Sequence, residues 1–435
     1  MSNKMKTTGE MDESTPALVP KLRFPEFREA KSWDASTLGE LSEVVRGGSP
    51  RPIDGFITTS ADGLNWLKIS DVDKDAKYVT HTAEKVRAEA LSKTRVANPG
   101  DLILSNSMSF GRPYILQIAT CIHDGWIAIT KISKKTDRDF LYYLISAPGS
   151  QSYLVDNAAG SGVLNLNTDT IRALRVCFPS PPEQQKIAEC LSSVDDLVAA
   201  QAQKLDALKT HKIGLMQQFF PREGETQPRV RFPEFQNAGE WMEKKLEDLA
   251  KRGSGHTPNK SYPEYYGGGI KWISPADSKR LDCGLISSTT IEISEKGVQN
   301  SSAVLHPKGT VIISRDAGVG KSAIMSIPMA VSQHFITWTC KSNLLSNWFL
   351  YHFLQNSKPL FERSATGSTI KAIGVQFFLD LVFHVPLLPE QQRIADCLNS
   401  LDALITAETQ KLEALKNHKK GLMQILFPIP EKIES

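Results

Sequence analysis

The segment Pro181 to Pro221, PPEQQKIAECLSSVDDLVAAQAQKLDALKTHKIGLMQQFFP, returns at Leu388 to Pro428 as LPEQQRIADCLNSLDALITAETQKLEALKNHKKGLMQILFP, an offset of 207 with 26 of 41 positions identical. A shared periodicity alone does not produce identity at that level, so the chain contains a duplication. Inside the first copy apolar residues follow a 4-3 spacing: Ile187, Leu191, Val194, Val198, Leu205 and Leu208, continuing to Leu215 and Phe219. The second copy supplies Ile394, Leu398, Leu401, Ile405, Leu412 and Leu415. This spacing predicts two coiled-coil helices whose stripes pair with each other. Polar residues interrupt each stripe twice, at Gln201 and Lys212 and at Glu408 and Lys419. Pro182 and Pro389 suit a first helical turn, and Phe220-Pro221 and Phe427-Pro428 end the helices.

Outward from the helices the offset persists loosely, within a residue, at landmarks. RFPEF occurs at Arg23 to Phe27 and Arg231 to Phe235, Trp33 matches Trp241, and Trp66 matches Trp272. Between landmarks the two halves share little. Short β-branched runs (Leu102 to Ser105, Trp126 to Thr130, Val311 to Ser314) alternate with Gly, Pro, Ser and Asn clusters and with brief helical stretches near Phe140 to Ile145 and Trp348 to Leu354. The predicted fold class is α+β: two mixed α/β blocks alternating with two long coiled-coil helices in a pseudo-two-fold internal duplication. The predicted organisation is a disordered lead-in at 1–20, a block at 21–180, a helix at 181–221, a linker at 222–230, a block at 231–387, a helix at 388–428 and a tail at 429–435.

With 435 residues, 40% hydrophobic and 23% charged, the composition is that of a globular protein. No apolar run is long enough for a membrane span, and the polar N-terminus lacks a signal peptide, so the expected location is the cytoplasm. Net charge is only +3, so any basic surface must be local. Six scattered cysteines form no Cys-x-x-Cys pair and read as buried thiols.

Three motifs invite an enzymatic reading. Gly318 to Ser322 imitates the end of a phosphate-binding loop, but Arg315 replaces the first glycine and a strand, not a helix, follows. Asp71, Asp73 and Asp75 open like a calcium loop, yet Ala76 and Thr82 occupy the positions that need glycine and glutamate. Glu234, Glu243 and Lys245 resemble a nuclease triplet without a counterpart in the first half. The nine histidines show no metal-ligand spacing, and His211 and His418 on the helices are expected to cap or pack. No catalytic residue and no metal ligand is predicted.

DNA readers combine cations with side chains that reach base edges. Loops of that chemistry recur at matching places. The first block offers Arg46, Ser49, Arg51, Lys68, Ser105, Asn106, Arg112, Ser161 and Asn165. The second offers Arg252, His256, Thr257, Lys260, Lys271, Arg315, Lys321, Ser368, Thr369 and Lys371. Each loop alone is an ordinary polar turn; the recurrence is what favours double-stranded DNA as the partner. Trp66 and Trp272, beside strands, are expected in the core.

PPEQQKIA and LPEQQRIA opening the helices, LKTHKIGLMQQFFP and LKNHKKGLMQILFP closing them, and the Trp66 and Trp272 motifs resemble the specificity subunits of Type I restriction-modification systems over nearly the whole chain. The resemblance implies that each variable block is a target recognition domain reading half of a bipartite, asymmetric site. It further implies a non-catalytic subunit that joins two modification (methyltransferase) subunits with restriction (translocase) subunits. S-adenosylmethionine, ATP and Mg would then sit on those partners, with no cofactor in this chain. A stand-alone bipartite DNA-binding regulator or adaptor is the alternative, and a fused methyltransferase would need an Asn/Asp-Pro-Pro-Tyr/Phe motif that the sequence lacks.

Overall fold

A computed structural model describes residues 19–106, 110–159, 165–316, 318–367 and 371–428. The expected lead-in, apart from Val19 and Pro20, and the expected tail lie outside the described residues. The chain divides into two units, Met1–Gln201 with Lys411–Ser435, and Ala202–Gln410. The divisions fall inside the two long helices, α1 (Pro181–Phe219) and α2 (Leu388–Leu426), each of 39 residues. At 1.5 Å per residue each helix runs about 58 Å. Every unit therefore contains the first half of one helix and the second half of the other.

The two halves pack antiparallel. In the first unit Ile187, Ala188 and Leu191 share a core with Met423, Leu426 and Phe427 from the far end of α2. In the second, Ile394, Ala395 and Leu398 meet Met216, Phe219 and Phe220. Along the 4-3 stripes Ile187, Leu191, Val194, Leu205, Ile394, Leu398 and Leu412 are buried, and Val198, Leu208, Leu401, Ile405 and Leu415 are half-buried. The polar stripe positions carry charge pairs: Lys212 with Asp402, Lys419 with Asp195, and Glu408 with Lys204. His211 and His418 are exposed, so of the expectation that they cap or pack the packing part is not met.

The repeated motif opening each helix fastens it to its block. Glu183, fully buried, accepts from Nε and Nη2 of Arg23 at 2.7 Å each. Glu390 accepts from Nε and Nη2 of Arg231 at 2.8 and 2.5 Å. Gln184 accepts from the backbone N–H of Asp137 at 2.7 Å and donates to the carbonyls of Lys135 and Pro179 at 2.9 and 2.8 Å. Asp137 is itself the N-cap of the helix Arg138–Ser146. Gln391 repeats this with Ser346, the N-cap of Asn347–Asn356, and with the carbonyls of Leu344 and Pro386. RFPEF and PEQQ are thus two sides of one joint.

Among the described residues each block holds a two-stranded sheet, Asp34–Thr37 with Arg175–Phe178 and Met242–Lys245 with Val382–Val385, and two larger sheets built to one plan. In spatial order, Glu43–Arg46, Trp126–Thr130, Leu102–Ser105, Pro113–Leu116 and Tyr78–Val79 form one sheet of the first block. Ala250–Ser254, Phe335–Cys340, Val311–Ser314, Ser322–Met325 and Leu285–Ile286 form its counterpart. In both sheets the last pair is parallel and the others antiparallel. A second sheet joins Leu64–Leu67 in parallel to Thr120–Ile122, and in the other block Tyr266–Ile273 to Met329–Val331. Trp66 and Trp272 are 3% exposed, in the core as expected.

One expectation needs correction. Cys121 and Cys177 are buried, but Cys283 is exposed, and Cys190, Cys340 and Cys397 lie between. The polar stretch after α1 is tied down: Arg229 and Val230 donate their N–H groups to the Gln218 carbonyl, and the Gln227 side chain bonds the Trp241 backbone. No helix among the described residues is long and apolar enough to cross a membrane.

Candidate nucleic-acid interface

In both blocks a strand, Glu43–Arg46 or Ala250–Ser254, runs into a glycine that opens the first loop and presses against the backbone at or just before the neighbouring turn. A Cβ on Gly47 would lie 2.1 Å from the His123 carbonyl oxygen, and one on Gly255 would lie 1.8 Å from that of Val331. Only a residue without a side chain lets the loop approach so closely. The loop and the turn then bond side chain to side chain.

In the first block the turn residue Asp124 collects four of the predicted DNA-binding residues. Its carboxylate accepts from the Ser49 hydroxyl at 2.9 Å and from Arg51 at 3.3 Å; its backbone carbonyl accepts from Arg46 Nε and Asn106 Nδ2, both at 3.0 Å. Burial alone would push Asp124 up, but the Ser49 hydroxyl, His123 and Arg51 together hold it below the usual carboxylate range. The neighbouring His123 is pushed down by burial, partly offset by Asp124, and its ring lies 6.2 Å from that of Trp66. An open cleft of about 1120 Å3 lies beside this turn, with Ser49, Arg51, Trp66, Lys68, Lys74 and His123 in its wall. Lys68 reaches Glu84 at 2.5 Å and is half-buried.

The second block repeats the geometry with other side chains. The Thr257 hydroxyl donates to Gln333 Oε1 at 2.6 Å, the backbone N–H of His256 donates to the Val331 carbonyl, and the Trp272 indole donates to the His256 carbonyl at 3.1 Å. Lys271 pairs with Glu292 as Lys68 does with Glu84. Arg252, His256, Lys260 and Lys371 are exposed.

A second pair of turns brings in the remaining candidates. Ser105 to Arg112 and Ser314 to Lys321 close with the same bonds, from the N–H of Gly111 and Gly320 to the carbonyls of Ser105 and Ser314. Asn106 and Arg315 occupy equivalent places: each donates its N–H to the neighbouring turn, at Gly125 and His334, and each accepts from a third segment, at Leu166 and Ile373. Asn165 is exposed on that third segment, bridged to Ala159. Ser161, Ser368 and Thr369 lie outside the described residues.

Three expectations change here. Ser105 and Asn106, expected on the surface, are buried within the turn. Lys321 is not displayed by its turn: its ammonium is bonded to the carbonyl and hydroxyl of Ser278 at 3.1 and 3.0 Å. Arg315 is half-buried, with Nε donating to the Ile373 carbonyl at 3.3 Å, whereas Arg112 stays exposed beside Asp75 at 3.4 Å. Sequence reading missed Asp124, His123, Gln333 and His334. The signal available for the first pair was the Asp-Gly turn dipeptide immediately before Trp126.

The sequence profile of the Type I restriction modification DNA specificity domain matches residues 30–210 and 238–417. The specificity subunit of the type I restriction enzyme MjaIX of Methanocaldococcus jannaschii is 30% identical over 178 residues, 41% of each chain. The putative type I restriction enzyme MjaX specificity subunit of the same organism is 22% identical over 418 residues, covering 91% of this chain and 93% of its own. In fold, the chain is similar to the crystal structure of a Type-I restriction-modification system S subunit from M. genitalium, with a TM-score of 0.56 at 15% identity, over 94% of this chain and 99% of the other.

Proposed function

Because the chain belongs to the family of the Type I restriction modification DNA specificity domain, of which it carries two copies, we propose that it reads a bipartite, asymmetric DNA site, one part with each block. In this reading it is a non-catalytic subunit. Two modification subunits bring S-adenosylmethionine and methylate adenine, and restriction subunits bring ATP, Mg and cleavage. The observation that carries the proposal is the contrast within one chain: the joint between helix and block is the same twice, while the turn that gathers the loops is acidic in one block and neutral in the other. Partners that bind twice need the same surface twice; two different half-sites need different loops. Leu197 and Leu404, at matching helix positions, are 58% and 40% exposed and suit a repeated apolar contact with such partners.

Coexpression with the partner subunits, followed by methylome sequencing, tests the proposal. Exchanging Lys21 to Ser180 for the first block of another family member is expected to alter one half of the methylated sequence and leave the other. Changed bases in both halves, or full sequence-specific binding by this chain with no partner, would sink it.

A further inference from the structure

The turn at His123 to Gly125 and its counterpart at Gln333 and His334 hold none of the residues the sequence nominated, yet the nominated loops converge on them. We propose that Asp124 and Gln333 are the positioning residues of the two half-sites: each latches the loop before it, and so fixes the geometry with which that loop meets the bases. The inference rests on the DNA-reading function proposed above.

The latch is recognisable because it recurs. Ser49 donates to Asp124 and Thr257 donates to Gln333, hydroxyl to side-chain oxygen at 2.9 and 2.6 Å. Beside each bond stands a glycine whose missing side chain lets the backbones touch. Two blocks that share a sheet plan but little sequence between landmarks would not keep this side-chain bond by turn propensity alone.

The chemistry differs where the half-sites must differ. Asp124 draws in two guanidinium groups, Arg46 through its carbonyl and Arg51 through its carboxylate. A held arginine surrenders less rotamer freedom when it docks, and its unused N–H groups keep a fixed direction suited to the acceptor pair on the major-groove edge of guanine. The side chain of Arg51 is 83% exposed, so those groups remain free for a base. Gln333 carries no charge, so the loop Arg252 to Lys260 is held by its hydroxyl and backbone, and its cations remain available to phosphate.

The test uses the complete complex assembled with its partner subunits. Asp124→Asn keeps an acceptor for Ser49 but removes the charge that holds Arg51. It is expected to reduce discrimination at one base pair of the first half-site about tenfold, with the second half-site, complex assembly and melting temperature unchanged. Gln333→Ala is expected to relax the second half-site only. The untouched half of the same molecule is the control for folding. An Asp124→Asn complex with full selectivity at every position of the first half-site overturns the latch, and so does equal loss in both halves. If the wild-type complex methylates no bipartite site at all, the functional reading fails instead, which separates the two outcomes.

Discussion

Gln184 and Gln391 look like ordinary helix residues, but each is buried and bonds three backbone groups of the neighbouring block. Truncating Gln184 to Ala would leave the Asp137 N–H and two carbonyls without partners, costing about 3 kcal/mol. The first unit is then expected to melt roughly 10 °C lower, measurable by calorimetry, while Gln185→Ala, on the exposed side of the same turn, changes nothing. Titration offers a second handle. His352 is buried against α2, donates Nε2–H to Asn399 at 2.8 Å, and is pushed down to about 4, first by burial and further by Lys212, against the opposing pull of Asn399 and Asp402. Between about pH 6.5 and pH 4 the unfolded chain binds a proton that the folded ring refuses. The contribution is therefore full above pH 6.5 and is lost as the pH falls towards 4. Burial lowers His306 and His123 as well, with the same sign. Melting curves at pH 7 and pH 4.5 are expected to converge in His352→Gln relative to the unmodified chain; an unchanged gap would mean that the ring does not carry the acid sensitivity.

At the level of the helices, the charges inside the stripe decide orientation. Leucines at 4-3 spacing pair equally well parallel or antiparallel, and the apolar pattern alone could not choose. Lys212 facing Asp402 and Lys419 facing Asp195 can form together only in the antiparallel register. Lys212→Asp would set two carboxylates against each other in a half-buried seam, destabilising the second unit by about 2 kcal/mol, between the exposed and buried limits for such pairs. Adding Asp402→Lys reverses the pair and is expected to restore most of the loss. A double-mutant cycle in denaturant measures the coupling, and additive effects would deny the pair any role in register.

For the molecule as a whole, the duplication and the long helices were legible because near-identical sequence and a 3.5-residue period are local properties of the chain. The strands Leu102–Ser105, Trp126–Thr130 and Val311–Ser314 were legible for the same reason, each being a short apolar run between turn residues. The antiparallel seam, the Arg23–Glu183 joint and the Asp124 turn were not, because each joins residues tens to hundreds of positions apart through side chains common on any surface. That blind spot bears on how the distance between the two DNA half-sites is set. The chain passes between units inside continuous helices, so lengthening both should lengthen the spacer. Repeat-matched insertion points such as Ala207 and Ala414 are not level with each other in an antiparallel pair. By the register of Lys212 with Asp402, Ala207 lies opposite Ala407. Four residues inserted after Ala207 and four after Ala407 leave the Lys204–Glu408, Lys212–Asp402 and Lys419–Asp195 pairs intact on either side, add about 6 Å, and keep approximate heptad phase with a local stutter. Methylome mapping of this variant is expected to show both half-site sequences unchanged and the unread spacer longer by one or two base pairs, at about 3.4 Å per step. An active complex with an unaltered spacer would mean that something other than the helices sets the distance.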